Sequence, residues 1–156
     1  MIVRQLAAQS ATLAVAESCT GGLLAHRLTN VPGASEVFLA GYVTYSNEAK
    51  SSALDVPARL IAEHGAVSEA VAAAMAAGAQ KKSGATYALS TTGIAGPGGG
   101  SAGKPVGTAY LALASGGETV VRHLYFPTDR ETFKQLATQT ALNFLRERLL
   151  RGATSR

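Results

Sequence analysis

Ser18 is the residue whose setting most invites chemistry. It follows residues 12–16, a short apolar run that reads as a buried strand. It precedes Leu23, Leu24, Arg27 and Leu28, which recur at helical spacing. Glu17-Ser18-Cys19-Thr20-Gly21-Gly22 is therefore a strand-to-helix turn. Such a turn directs backbone N–H groups toward a ligand, and Gly21 and Gly22 permit close approach to the backbone. A serine there can act as a nucleophile, with neighbouring amides as an oxyanion hole. An ordinary capped turn, with Ser18 or Thr20 as N-cap, would carry the same residues. The segment is not a G-x-S-x-G elbow.

A serine nucleophile needs a base. His26, His64 and His123 are isolated in the sequence and lack metal-ligand spacing. The other route is a lysine kept neutral by desolvation. Among the five lysines, Lys81 and Lys82 close a helix and Lys134 lies on the polar side of the last one. Lys50 and Lys104 lie beside strand ends and turns. Lys50 ends the run Tyr42-Val43-Thr44-Tyr45-Ser46-Asn47-Glu48-Ala49-Lys50, a strand-to-helix junction with Ser46 or Asn47 as N-cap. Tyr45 and Lys50 can then face one cleft, where a tyrosine relays a proton or bonds a developing charge. Tyr45 in the core, with Lys50 paired to Glu48, is the plain alternative.

Two more segments could bind an anion. Thr92-Gly93-Ile94-Ala95-Gly96-Pro97 opens a region, residues 93–107, that holds seven of the 17 glycines. It follows a strand, where α/β proteins bind ligands, and glycine-rich backbone makes anion nests. It lacks G-x-x-x-x-G-K-[ST] and no helix follows, so it is neither a P-loop nor a dinucleotide fingerprint. A flexible hairpin loop fits equally. In Phe126-Pro127-Thr128-Asp129-Arg130, Thr128 or Asp129 caps the last helix and Arg130 stands in its first turn, where the dipole favours acids. A cation suits that position if it meets an anion such as a phosphate. Pairing with Asp129 or Glu131 is the alternative.

The elements that must position these residues form an alternating series. Short helices are expected over 2–10 and 57–64, and a longer one over 68–82, capped by Ser68. Strands are expected over 12–16, 37–45 and 85–91. Strands 106–114 and 119–126 meet at Ser115-Gly116-Gly117-Glu118, a hairpin signature. A final helix over 129–150 presents Phe133, Leu136, Ala137, Thr140, Phe144 and Leu145 on one face. The pattern predicts a three-layer α/β/α sandwich in one domain, 1–156. Its sheet is mixed, with parallel strands and a late antiparallel hairpin.

Composition narrows the class. The chain has 156 residues, 47% hydrophobic and 15% charged, with one cysteine and net charge +4. A lone Cys19 excludes an internal disulfide framework and a multi-cysteine zinc site. No apolar run approaches membrane-span length and no signal peptide is visible, so a cytoplasmic domain is expected. A basic balance invites nucleic-acid binding. Yet three of the four net positive charges fall in the last eleven residues, where Arg146, Arg148, Arg151 and Arg156 face only Glu147. That run reads as a solvated helix end, and no nucleic-acid partner is expected. Alanine, at 30 residues, implies packing by close approach of helices. The alanine-rich 68–82 helix (Val71, Ala72, Met75, Ala76, Ala79) is either internal or a subunit contact, and a homo-oligomer, a dimer, is expected.

Together the segments resemble the CinA C-terminal domain family, whose stand-alone members include nicotinamide-nucleotide amidases. The resemblance is carried by Ala16-Glu17-Ser18-Cys19-Thr20-Gly21-Gly22, residues 41–50, His64-Gly65-Ala66-Val67-Ser68-Glu69, residues 92–97, Lys104-Pro105-Val106-Gly107-Thr108 and residues 126–130. It implies hydrolysis of the carboxamide of nicotinamide mononucleotide to nicotinic acid mononucleotide and ammonia, without metal or cofactor. By motif, Ser18 is the nucleophile, Lys50 the general base and Tyr45 its assistant. Thr20, Gly21, Gly22, Thr92, Gly93, Gly96 and Arg130 contribute to substrate binding. The oxyanion is expected to meet amides at the start of the Thr20–Leu28 helix, and the 5′-phosphate to meet Arg130 and the 93–100 loop. One departure is Thr92, where a serine often stands; both carry a hydroxyl. Longer family members add an N-terminal pyrophosphatase domain, an activity not expected of this chain. Two alternatives stand beside this reading. One makes Cys19 the nucleophile, since a helix N-terminus lowers a thiol pKa. The other is a regulatory module that binds a nucleotide without turnover.

Overall fold

The computed structural model describes residues 1–154; Arg156, part of the arginine-rich end, lies outside them. Five strands form one sheet: β1 (Leu13–Glu17), β2 (Phe38–Val43), β3 (Tyr87–Gly93), β4 (Thr108–Ser115) and β5 (Glu118–Tyr125). They lie in the order β2-β1-β3-β4-β5. β1 runs parallel to β2 and β3, and the β4–β5 hairpin is antiparallel. Its turn places Gly116 and Gly117 at φ 58° and 82°, the left-handed pair a two-residue hairpin turn requires. Helices cover both faces, so the expected three-layer sandwich with a mixed sheet is what the chain forms.

The two faces are built from different side chains. On β3, Leu89 points one way and Ala88 and Ser90 the other. On β4, Leu111 and Leu113 oppose Ala112 and Ala114. The leucine face meets α1 (Ile2–Ala8), α2 (Leu23–Thr29) and α6 (Arg130–Thr154), with Leu6, Leu24 and Leu145 in the same cluster. The alanine face meets α5 (Glu69–Ser83), which contributes Val71, Ala72, Met75, Ala76 and Ala79, all fully buried. α3 (Asn47–Leu54) and α4 (Ala58–His64) close over α5 through Leu54 and Ile61.

The alanine excess thus belongs to one interface, where small side chains on sheet and helix bring the backbones close. Ser90 Oγ donates to the Ala72 carbonyl at 2.6 Å across it. Of the two roles open to the 68–82 helix, the internal one holds for its apolar residues.

Local rules account for most element ends. Ser46 accepts a hydrogen bond from the Ala49 amide and Ser68 from Val71, as N-caps do. Asp129 accepts from the Thr132 amide and caps α6. The buried stripe of α6 departs from expectation. Phe133, Ala137, Phe144 and Leu145 are buried as read, joined by Ala141, Leu142 and Leu149. Leu136 is exposed, and Thr140 spends its hydroxyl on the Leu136 carbonyl. At about 100° per residue the buried stripe runs through Ala137, Ala141, Leu145 and Leu149 at i, i+4 spacing, and Leu136 and Thr140 fall on its flank. The C-terminal arginines bond mainly to their own surroundings: Arg146 to Asn143 and Arg148 to Ser115. No helix among the described residues is long and apolar enough to cross a membrane.

Gly78 in α5 tests the close-approach account. A Cβ there would collide with the Leu54 carbonyl oxygen and lie 3.2 Å from Leu54 Cβ. Alanine gains about 1 kcal/mol of helix propensity over glycine, but overpacking costs about 1–3 kcal/mol. Gly78→Ala is expected to lower stability by about 1–2 kcal/mol in urea unfolding. A gain in stability would overturn the account.

Candidate active site

Four strands, β1, β2, β3 and β5, end at the same edge of the sheet, and each delivers one part of the site. Ser18 directly follows β1. Its amide donates to the Thr91 carbonyl, continuing the β1–β3 ladder, while the Thr44 amide donates to the Glu17 carbonyl on the other side. The Ser18 backbone is therefore fixed from both flanks.

After β2 the chain passes Thr44 and Tyr45, is capped by Ser46 and enters α3, whose fourth residue is Lys50. That side chain runs back toward the strand end and is 1% exposed. Lys50 Nζ lies 2.9 Å from Ser18 Oγ, 2.8 Å from the Thr44 carbonyl and 3.3 Å from the Tyr45 carbonyl. Burial, the dominant influence, holds the amine below the ordinary lysine value. As an ammonium, Lys50 donates to all three oxygens. As a neutral amine, it gives its two N–H bonds to the two carbonyls and turns its lone pair to the Ser18 hydroxyl. The surroundings accommodate both protonation states without rearrangement.

Two features differ from the sequence reading. The Tyr45 hydroxyl makes no hydrogen bond to Lys50. It accepts a hydrogen bond from Arg130 Nη2 at 3.0 Å, and the ring is 62% exposed. Only the Tyr45 carbonyl serves Lys50. The helix expected over 20–28 begins at Leu23, and the amides in its first turn are taken. Leu24 N donates to Glu17 Oε1 at 2.8 Å and Ala25 N to Glu17 Oε2 at 3.1 Å. They are thereby closed to an oxyanion. The amides of Cys19 and Thr20 have no backbone acceptor among the described residues and lie immediately after Ser18.

Glu17 was read only as part of a polar turn. It is fully buried and also accepts from Thr20 Oγ1 at 2.6 Å. Its carboxylate faces the first turn of α2, where the helix dipole stabilises a negative charge. Gly22, the N-cap residue, has φ 103° and no side chain to do this. The Thr20 hydroxyl is shared between Glu17 and Thr91 Oγ1, the latter at 2.8 Å. Thr20 thus holds the turn, and its hydroxyl is turned away from the Ser18 cleft.

β3 supplies the third part. Thr92 is buried with its hydroxyl donating to the Ala66 carbonyl, and Gly93, Ile94, Ala95 and Gly96 continue along the cleft. β5 leads to Arg130, whose Nη1 donates to the Gly96 carbonyl at 2.8 Å. Neither Asp129 nor Glu131 pairs with it. Arg130 thus ties the glycine-rich loop to Tyr45. The cleft, about 270 Å³, is lined by Ser18, Cys19, Tyr45, Lys50, Thr92 and Arg130 among others. Gly21 and Gly22 line a separate depression of about 660 Å³, which also reaches Arg130.

Cys19 shares the cleft, and the other candidates sit elsewhere. Burial pushes the Cys19 thiol up to about 12, against the thiolate a nucleophile needs. Lys104 Nζ donates to the His64 carbonyl. His123 stacks on Tyr110, and His26 bonds Asn30. None of these three meets Ser18.

The profile of the CinA C-terminal domain matches residues 1–149. The chain belongs to the CinA C-terminal domain family. CinA-like proteins of Citrifermentans bemidjiense and Geobacter sulfurreducens are 56% and 52% identical to it over 144 and 149 residues. These alignments cover 92% and 96% of the chain but 35% and 36% of the relatives, so the chain spans about a third of their length. A solved competence/damage inducible protein, CihA, from Agrobacterium tumefaciens superposes with a TM-score of 0.90 at 41% identity. That match covers 92% of this chain and 88% of the other. A CinA superfamily protein from Klebsiella pneumoniae gives 0.92 at 37% identity, covering 96% and 94%.

Glu17→Ala is expected to destabilise the chain by about 2–4 kcal/mol, since it strands the buried Leu24 amide and the part-buried Ala25 amide and leaves a cavity behind the turn. Glu17→Gln, with one acceptor oxygen and an opposing amide group, should fall between. Urea midpoints check the order, and an alanine variant as stable as the parent would refute the capping role.

Proposed function

We propose that this chain is a serine–lysine amidase that converts nicotinamide mononucleotide to nicotinic acid mononucleotide and ammonia. The observation that carries the reading is the buried Lys50 amine, 2.9 Å from Ser18 Oγ and held by two carbonyls. A lysine desolvated in this way gives up its proton more readily than an exposed one, as a general base must. The substrate identity rests on the resemblance of the motifs to nicotinamide-nucleotide amidases.

Ser18 Oγ attacks the carboxamide carbon as its proton passes to the Lys50 lone pair. The tetrahedral oxyanion lies against the amides of Cys19 and Thr20. The Lys50 ammonium returns the proton to the leaving nitrogen; the C–N bond breaks and ammonia departs. Water then attacks the Ser18 ester, giving its proton to Lys50. Collapse of the second intermediate breaks the ester bond, and Lys50 reprotonates Ser18. The Thr44 and Tyr45 carbonyls orient the amine throughout. Arg130, with further donors beyond its bonds to Gly96 and Tyr45, borders the space the nucleotide fills.

Incubation with nicotinamide mononucleotide is expected to release ammonia. Ser18→Ala and Lys50→Ala should each lower the rate by at least about a thousandfold while the fold persists by circular dichroism. Cys19→Ser should stay within about threefold of the parent. Full turnover in Ser18→Ala would sink the mechanism, and saturable binding without ammonia would favour a regulatory module.

The pH dependence follows from Lys50. Only the neutral amine accepts the Ser18 proton, so kcat/KM falls as pH drops through the Lys50 pKa. That pKa is lowered by burial, placing the midpoint below the ordinary lysine value of about 10.4. Lys50→Arg, which cannot deprotonate, should be inactive at every pH. A rate independent of pH up to 10 would contradict Lys50 as the base.

A further inference from the structure

The depression beside the Ser18 cleft is about 660 Å³ and is bounded by Gly21 and Gly22 on one side and the start of α6 on the other. The cleft itself is about 270 Å³, below the roughly 300–1,000 Å³ usual for a small-molecule site. A mononucleotide seated with its carboxamide at Ser18 must extend beyond it. Arg130 lines both spaces and is the residue they share.

The second space is cationic in an unusual way. Arg130 and Lys134 stand four apart on α6, so they occupy one helix face. Like charges at that spacing repel, and both stand in the first two turns, where the dipole also disfavours cations. Neither is neutralised by the protein. Asp129 turns its carboxylate to the Thr132 amide, with Thr128 donating to its other oxygen. Glu131, exposed at the rim, forms no ion pair among the described residues. Lys134 makes no hydrogen bond there either. Its Nζ lies 3.8 Å from where a Cβ on Gly21 would stand. Gly21 has φ 58°, so glycine both suits the backbone and keeps the space before the ammonium open.

We infer that this depression holds the phosphomonoester of the substrate, with Lys134 as its principal charge partner and Arg130 bridging phosphate and cleft. The inference rests on the amidase reading for the substrate but not for the anion site itself. It moves the expected phosphate position from the 93–100 loop to the space between Gly21 and α6.

The test uses the full chain with Ser18→Ala, so that ligands stay intact, with and without Lys134→Ala. Calorimetry compares nicotinamide mononucleotide with its nucleoside, nicotinamide riboside. Loss of a charge-assisted phosphate contact should weaken nucleotide binding about tenfold or more and leave the nucleoside within about twofold. Glu131→Gln should tighten the nucleotide alone. Equal weakening of both ligands by Lys134→Ala, or of neither, would overturn the assignment. Inorganic phosphate, followed by 31P line broadening, separates this from the amidase reading. Phosphate binding that depends on Lys134 supports the site even if the parent chain releases no ammonia. Phosphate binding unaffected by Lys134→Ala, or absent from the parent, refutes it.

Discussion

The site depends on keeping a lysine amine out of water. A primary amine loses much solvation on burial, and the loss falls mainly on its charged form. The fold offsets part of this with three oxygens whose positions other bonds already fix. The Thr44 carbonyl belongs to the segment leaving β2, whose Thr44 amide bonds Glu17. Ser18 is held by the ladder between β1 and β3. Ser46 caps the helix that carries Lys50. Removing any one of these supports would loosen the Ser18–Lys50 distance on which the proposed proton transfer depends.

A second buried charge answers the first. Glu17 sits one residue before Ser18 and faces away from Lys50, toward α2. The turn is thereby gripped from behind by a carboxylate and met in front by an amine. Gly21 and Gly22 can take left-handed conformations there because the cap for α2 comes from Glu17 and not from the N-cap residue. The two-sided sheet makes this possible. Its leucine face receives α2 and α6, while its alanine face lets α5 pack closely beneath α3 and α4. Helices from both layers therefore bring residues to one edge.

Much of this was legible in the sequence, and what escaped has identifiable causes. Ser18, Lys50 and Arg130 declare themselves by type and by their place at element boundaries. Ser46, Ser68 and the Gly116-Gly117 turn follow local rules, which need no tertiary context. Glu17 escaped because its partners are seven and eight residues ahead, outside capping-box spacing. The end of β1 is what aims its side chain. The Tyr45 hydroxyl escaped because sequence adjacency to Lys50 suggested a shared direction, whereas Arg130, 85 residues away, claims it. The role of Thr20 required knowing that β3 lies next to β1 and brings Thr91. Leu136 and Thr140 were misplaced because helical spacing alone does not say on which side of Phe133 the buried stripe lies. Net charge said least about the site, since it counts arginines at the far end of α6 equally with Arg130.

The glycine-rich segment has one more property. It leaves the sheet at β3 and re-enters at β4, its antiparallel neighbour, so both ends emerge at the same edge. The Ile94 amide donates to the Thr108 carbonyl, and Gly107 donates back to Ile94, closing the base like a clasp. Gly107 also accepts from Phe126, which leads toward Arg130. Gly98 and Gly103, exposed positions where a Cβ would meet nothing within 4 Å, can change while Ser18, Lys50 and Arg130 stay in register. On the proposed amidase reading, these positions are where substrate preference can change without moving Ser18 and Lys50.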